Sequence, residues 1–237
     1  MKFVEERQSL PRWTQSSGEE LANSISHGIG FVGAIIGTPI LLLEALHHGD
    51  IPFLIGTIVF STAMLVVYLA STLYHSWPPG HMKSLLQLLD HSAIFLLIAG
   101  TYTPFALGPL RDGGGLPMLG IVWALALFGV VIKATRGVLR HRRLAMTLYL
   151  GTGWLGLTFI RPLAMAIPFS ALVCLIAGGM LTRQELYFLR MNGNVMPISC
   201  GICSYSAAPA VTMRPSLFAR PEKSGRAKLD NFARAAD

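Results

Sequence analysis

Residues 51–75 read IPFLIGTIVFSTAMLVVYLASTLYH and contain no Asp, Glu, Lys or Arg. At about 1.5 Å per residue, a helix of this length extends for roughly 37 Å. The hydrocarbon core of a bilayer is only about 30 Å thick, so the helix is long enough to cross it. A helix also satisfies its backbone hydrogen bonds internally, as lipid requires. The stretch therefore predicts a membrane-spanning helix.

Apolar runs of similar length occur on both sides of this stretch and are joined by short segments rich in Gly, Pro, His and Arg. The predicted spans are residues 21–46, 51–75, 85–108, 116–134, 145–163 and 166–189. We therefore predict an all-α polytopic membrane protein with six transmembrane helices in a receptor-like bundle. A seventh helix, within residues 192–212, is left open because that segment is rich in Gly, Asn and Pro.

The composition agrees with a bilayer environment. The 237 residues are 52% hydrophobic and 13% charged, and the mean hydropathy is +0.54, which is too apolar for a soluble protein of this size. We predict three regions: a cytoplasmic N-terminal segment at residues 1–20, a transmembrane domain at 21–189, and a disordered basic tail at 190–237. The first helix is expected to stay as an uncleaved anchor, because no signal-peptide pattern precedes it.

The net charge of +7 reports topology rather than nucleic-acid binding. If the N-terminus is cytoplasmic, all but two of the 19 Lys and Arg residues, Arg111 and Arg161, fall on the cytoplasmic side of the predicted spans. This asymmetry follows the positive-inside rule. We therefore predict a multi-pass inner-membrane protein with a cytoplasmic N-terminus, whose partners are membrane lipids and not nucleic acid.

Three polar side chains share one face at the start of the first span. Glu20, Asn23 and His27 are spaced i, i+3 and i+7, which places them in one helical stripe. Ionisable groups inside a membrane are costly, about 2.5–3.5 kcal/mol at the bilayer centre, and usually face the bundle interior. The stripe is a candidate polar cavity. The alternative is a helix start where the carboxylate favours the positive dipole end and the other two side chains reach the headgroups.

A second group of polar residues lies where the second and third spans meet. Ser71 and His75 are one turn apart near the end of span two, and Asp90 and His91 lie near the start of span three. A hairpin between these spans brings His75 and Asp90 to a similar depth. Two interpretations stay open: a hydrogen-bonded His–Asp pair, or part of a metal site, which requires further ligands.

Glycines and cysteines form two further patterns in the sequence. Glycines are expected to allow close helix packing, as small residues do in membrane bundles; the candidates are Gly33, Gly37, Gly151, Gly153 and Gly156. Cys200 and Cys203 form a single CxxC, which without a second CxxC or a nearby His pair is weak evidence for a metal or redox site.

Four segments together resemble the haemolysin III family, the bacterial branch of the progestin and adiponectin receptor superfamily. They are EELANSISHGIG at 19–30, STLYHSW at 71–77, LDHSAIFLLIAGTYTPF at 89–105 and YLGTGWLGL at 149–157. They occur in the family's order, and the resemblance covers about residues 19–181. It implies a seven-helix membrane fold with the N-terminus inside and a zinc ion near the cytoplasmic face.

The resemblance also implies roles for individual residues. His75 matches the zinc-ligand histidine of the second helix, Asp90 matches the acid thought to contact the zinc-bound water, and Ser71 matches the serine beside them. The family's two remaining zinc ligands form an HxxxH motif on its seventh helix, and this chain has no HxxxH after residue 181. We therefore predict an incomplete metal site with low zinc occupancy.

Three functions follow as hypotheses. The leading one is a haemolysin III-like membrane protein that perturbs membranes and is built on a zinc-hydrolase-like scaffold. The first alternative is a zinc-dependent hydrolase of membrane lipid amides, because eukaryotic relatives are linked to ceramide hydrolysis. The second is a non-catalytic sensor or receptor in which the stripe from Glu20 to His27 couples lipid state to helix packing.

Overall fold

The computed structural model describes residues 16–136 and 142–167 and five further positions between 169 and 177. The described part of the chain is helical and contains no strand. Its helices are α1 (Ser17–His48), α2 (Ile51–Ser76), α3 (His81–Leu107), α4 (Leu116–Arg136), α5 (Arg142–Thr158) and α6 (Ile160–Ala166). Four segments are long and apolar enough to cross a membrane: α1, α2, α3 and Arg111–Thr135, which includes most of α4.

Sequence signals determine both ends of α1. Ser16 caps its N-terminus: the Glu19 N–H donates to the Ser16 hydroxyl at 3.3 Å, and the Ser16 N–H donates to the Glu19 carboxylate at 2.8 Å. This reciprocal arrangement satisfies two backbone donors that the first turn leaves free. At the other end, Gly49 adopts the left-handed conformation at φ 69°, and its N–H donates to the Leu46 carbonyl. The short connection lets α2 begin at Ile51, antiparallel to α1.

The helices pack in chain order, because α1 contacts α2, α2 contacts α3, and α3 contacts α4. One apolar core is centred on Phe95, Ala99, Val122 and Ala126 of α3 and α4, and a smaller one lies between α1 and α2. Consecutive antiparallel helices place the start of α1, the end of α2 and the start of α3 at the same end of the bundle.

Large apolar side chains cover the outside of the helices. Ile25, Ile29, Ile36 and Ile40 of α1 are each more than half exposed, between 54% and 64%. A surface of this kind is unfavourable in water and suits hydrocarbon tails. Together with the length of the four apolar segments, it identifies a multi-pass membrane protein.

The predicted spans agree with the helices in the first four cases, with boundaries that differ by no more than four residues. The fifth predicted span, 145–163, is not one helix: α5 ends at Thr158, and α6 begins at Ile160. Most of the predicted sixth span, and the whole of the region where a seventh was left open, lie outside the described residues.

Close helix packing involves Gly56 and Gly100, which were not expected, as well as some of the expected glycines. A Cβ added to Gly56 of α2 would lie 2.6 Å from the Pro104 Cα of α3, and one on Gly100 would lie 3.0 Å from the Ala63 Cβ. Among the described residues, nothing lies within 4 Å of a Cβ built on Gly33, Gly151 or Gly153, whereas Gly156 faces the Tyr102 hydroxyl at 2.9 Å. Of the predicted positions, Gly37 is buried and Gly156 makes a close approach.

Candidate functional site

Buried polar side chains from α1, α2 and α3 gather at the end where α1 and α3 begin. We call this group the polar cluster; it consists of Glu20, Asn23, His27, Ser71, His75, Lys83 and Asp90. Asn23, Ser71, His75 and Asp90 are each no more than 9% exposed. The surrounding helices are apolar, so this concentration of buried polar groups marks a candidate functional site.

Glu20 is the central residue of the cluster, because its carboxylate binds groups from two other helices. Its Oε2 lies 2.8 Å from the Nδ1 of His75 on α2, and its Oε1 lies 2.9 Å from the Nζ of Lys83 on α3. The Lys83 ammonium also donates to the Trp77 carbonyl at 3.2 Å and lies 5.2 Å from the centre of the Tyr74 ring. One carboxylate therefore connects α1 to both helices of the α2–α3 hairpin.

His27 lies directly against His75. The two imidazole rings are stacked, with their centroids 5.7 Å apart and their planes within 4° of each other. His27 also contacts the Tyr68 ring at 6.2 Å, and within the described part of the chain its buried Nε2 has no hydrogen-bond partner. The parallel His27 ring limits the space in which the His75 ring can turn.

Asp90 is a buried carboxylate on α3. The Ser71 hydroxyl of α2 hydrogen-bonds with it, and its Oδ2 lies 3.6 Å from the Nδ1 of His91. That same His91 nitrogen lies 2.9 Å from the Gln87 carbonyl, which is the better hydrogen bond of the two. Ser71 is therefore the partner that comes from a neighbouring helix.

Two further hydrogen bonds hold the helices around the cluster. The Gln87 amide donates to the Tyr74 hydroxyl at 3.1 Å, which joins α3 to α2. The Tyr149 hydroxyl of α5 donates to the His91 carbonyl at 2.8 Å, and the Tyr149 ring packs against Phe95. These contacts fix the depth and rotation of the α3 segment that carries Asp90.

The structure joins residues that the sequence suggested as separate groups. Glu20 and His27, predicted as a stripe of their own, both contact His75. In place of a direct His75–Asp90 pair, His75 contacts Glu20, and Ser71, one turn before His75, pairs with the Asp90 carboxylate. His91 is half-buried beside Asp90, and Asn23 is 1% exposed.

Lys83, Gln87 and Tyr74 were not predicted as site residues. Lys83 was counted only as a topology marker, although it is the single Lys or Arg between the second and third predicted spans. Its place as a lone cation at a hairpin tip, near the carboxylates Glu20 and Asp90, is the sequence signal that could have identified it.

The described residues do not provide a complete zinc site. His75 is the one predicted ligand among them, and its Nδ1 already contacts Glu20. His27, whose ring lies parallel to that of His75 with the centroids 5.7 Å apart, is not among the predicted ligands. No three His, Cys, Asp or Glu side chains in the described ranges are grouped as metal ligands. Cys200 and Cys203 lie outside those ranges.

The sequence is similar to known proteins over most of its length. A family model described as "Haemolysin-III related" matches residues 15–201, which is wider than the 19–181 expected from the motifs. A "Hemolysin-3 homolog" of Bacillus subtilis (strain 168) is 42% identical over 163 residues, covering 69% of this chain and 76% of that protein. "Hemolysin-3" of Bacillus cereus is 40% identical over 183 residues, covering 77% of this chain and 83% of the relative. No solved structure matches the chain significantly.

Proposed function

The chain belongs to the haemolysin III-related family, and on this basis we propose that it is a membrane-perturbing, cytolytic protein whose activity depends on the polar cluster. The name of the Bacillus cereus relative, "Hemolysin-3", supports the cytolytic part of the proposal. The inner membrane is its proposed location, and membrane lipids are its proposed partners.

One observation carries the assignment of the cluster. Glu20, His75 and Lys83 form a connected ionic and hydrogen-bonded group among three apolar helices. Partly buried ion pairs of this kind contribute little net stability compared with well-packed apolar residues. Since such residues are costly in a membrane, a functional role explains them better than a role in folding alone.

Lysis assays test this proposal. Purified protein is added to washed erythrocytes, and haemoglobin release is measured for the wild type, His75→Ala and the control His81→Ala. His81 is exposed and outside the cluster. We expect His75→Ala to reduce haemoglobin release to the background level and His81→Ala to keep the wild-type level. Cooperative thermal denaturation of both variants serves as the check that they are folded.

Other results of the same assay would contradict the proposal. Absence of lysis by folded wild-type protein would remove the cytolytic role. Full lysis by His75→Ala would show that lysis does not depend on the polar cluster. It would favour the hypothesis of a non-catalytic sensor, in which the stripe from Glu20 to His27 couples lipid state to helix packing.

A second candidate function is hydrolysis of a membrane lipid amide. The buried pairing of Asp90 with the Ser71 hydroxyl favours it, because a carboxylate in an apolar site can accept a proton during hydrolysis. The described residues do not complete a zinc site, so no catalytic step through zinc is assigned. Release of fatty acid from ceramide in mixed micelles, lost in Asp90→Asn, would support hydrolysis over direct perturbation.

The proposed orientation makes a separate prediction. Cysteines are introduced at Gln8, Val138 and His47 in a background without Cys174, Cys200 and Cys203, and intact cells are treated with a membrane-impermeant maleimide. Because the positive-inside rule places the first two sites in the cytoplasm, we expect labelling at position 47 alone. Labelling at position 8 or 138 in intact cells would contradict the topology, and permeabilised cells provide the control for reactivity.

A further inference from the structure

Glu20 meets His75 in a way that selects one nitrogen of the imidazole. Carboxylate Oε2 is 2.8 Å from Nδ1, which is the distance of a strong hydrogen bond. An ionised carboxylate only accepts hydrogen bonds, so the proton between the two groups is on Nδ1. A neutral imidazole has one ring proton, and Nε2 is then the nitrogen with a free lone pair.

Lys83 holds the other side of the same carboxylate. Its Nζ lies 2.9 Å from Oε1, and it is itself fixed by the Trp77 carbonyl at 3.2 Å and by the Tyr74 ring. The ammonium pairs with the Glu20 carboxylate in a partly buried place, where the side chains of Lys83 and Glu20 are 18% and 21% exposed. Oε2 is thereby left to receive the His75 proton.

We propose that Glu20, held by Lys83, is a positioning residue that keeps the proton of His75 on Nδ1 and presents Nε2 as the acceptor or ligand nitrogen. The stacked ring of His27 adds to this by restricting rotation of His75. A hydrogen-bond partner on one ring nitrogen commonly sets the tautomer and orientation of catalytic or metal-binding histidines. The importance of His75 for activity rests on the proposed function, whereas the tautomer can be tested without it.

A purely structural role for the ion pair makes a different prediction. If Glu20 only ties α1 to the α2–α3 hairpin, its replacement lowers stability but leaves no defined preference at His75. The Glu20→Gln variant separates the two roles. Lys83 can only donate, so it takes the amide carbonyl oxygen, and the amide NH₂ then faces His75 Nδ1. That nitrogen must then accept, and the proton moves to Nε2.

The experiment uses the full chain labelled with ¹⁵N-histidine in lipid nanodiscs at pH 8, above the ordinary histidine pKa of about 6.5. Two-bond ¹H–¹⁵N spectra report which ring nitrogen carries the proton, and His75→Asn identifies the His75 signals. We expect the wild type to be predominantly protonated on Nδ1 and Glu20→Gln to be predominantly protonated on Nε2. Glu44→Gln, on the same helix and outside the cluster, is expected to leave the wild-type pattern unchanged.

Further variants and the lysis assay complete the test. Lys83→Arg keeps a donor and should keep the Nδ1 proton, whereas Glu20→Gln combined with Lys83→Met should give a mixture of tautomers. Wild-type His75 protonated on Nε2, or a pattern unchanged in folded Glu20→Gln, would overturn the inference. A tautomer change without any lytic activity in the wild type would uphold the inference and reject the proposed function.

Discussion

Replacing Gly56 by Leu is expected to lower the apparent melting temperature of the detergent-solubilised protein by about 6–12 °C. The cause is overpacking, which in a well-packed interior costs about 1–3 kcal/mol and sometimes more. A Cβ at position 56 would lie 2.6 Å from the Pro104 Cα and 2.8 Å from the Pro104 nitrogen. These atoms belong to the backbone, so α2 and α3 must separate to make room. The melting temperature of a chain of this size falls by roughly 2–4 °C per kcal/mol. The upper overpacking cost of about 3 kcal/mol therefore gives the expected decrease.

Gly120→Leu is the matched control. It makes the same change in α4, where nothing lies within 4 Å of an added Cβ in the described part of the chain, and it gains about 1 kcal/mol in helix propensity. Its melting temperature should equal or exceed that of the wild type. If Gly56→Leu melted at the wild-type temperature, the α2–α3 contact would not be as close as the structure shows.

The helices could be predicted from sequence because the bilayer imposes a length and a composition. Residues 51–75 coincide almost completely with α2 (Ile51–Ser76), since a long uncharged run has no other stable state in lipid. The structure adds the helix ends: Ser16 and Glu19 form a capping box that starts α1 four residues before the predicted span, and Gly49 ends the helix. The break after Thr158 could not be predicted, because the apolar composition continues across it.

The rotation of each helix, and the neighbour that each polar side chain contacts, could not be predicted from the sequence in the same way. The spacing of Glu20, Asn23 and His27 placed them on one face, but a single sequence does not say which neighbouring helix that face contacts. The hairpin between the second and third spans suggested Asp90 as the neighbour of His75, whereas Glu20 was predicted in a separate stripe on the first helix. In the structure His75 contacts Glu20, because α1 packs against α2 at the level of Lys83, in the first turn of α3.

Zinc is expected to bind this chain much more weakly than a relative that carries HxxxH on its seventh helix. Tight zinc sites in proteins use three or four converging ligands, and the free energy of binding falls as ligands are lost. Here His75 offers only one nitrogen of the expected kind, Asp90 is paired with Ser71, and the neighbouring imidazole of His27 is stacked in parallel. Loss of supporting groups alone weakens metal sites by about 10–100-fold, so loss of two direct ligands should weaken this one by at least that factor.

Metal analysis of purified protein, after dialysis against a weak chelator, measures this directly. The wild type is compared with His75→Ala and with a variant in which Cys200 and Cys203 are both serine, and a relative that carries HxxxH is the positive control. We expect zinc far below one atom per chain in all three forms of this protein. Stoichiometric zinc that is lost in His75→Ala but kept in the double-serine variant would contradict the prediction. Zinc lost in both variants would also contradict it, and would mean that the cysteines join His75 as ligands in place of HxxxH.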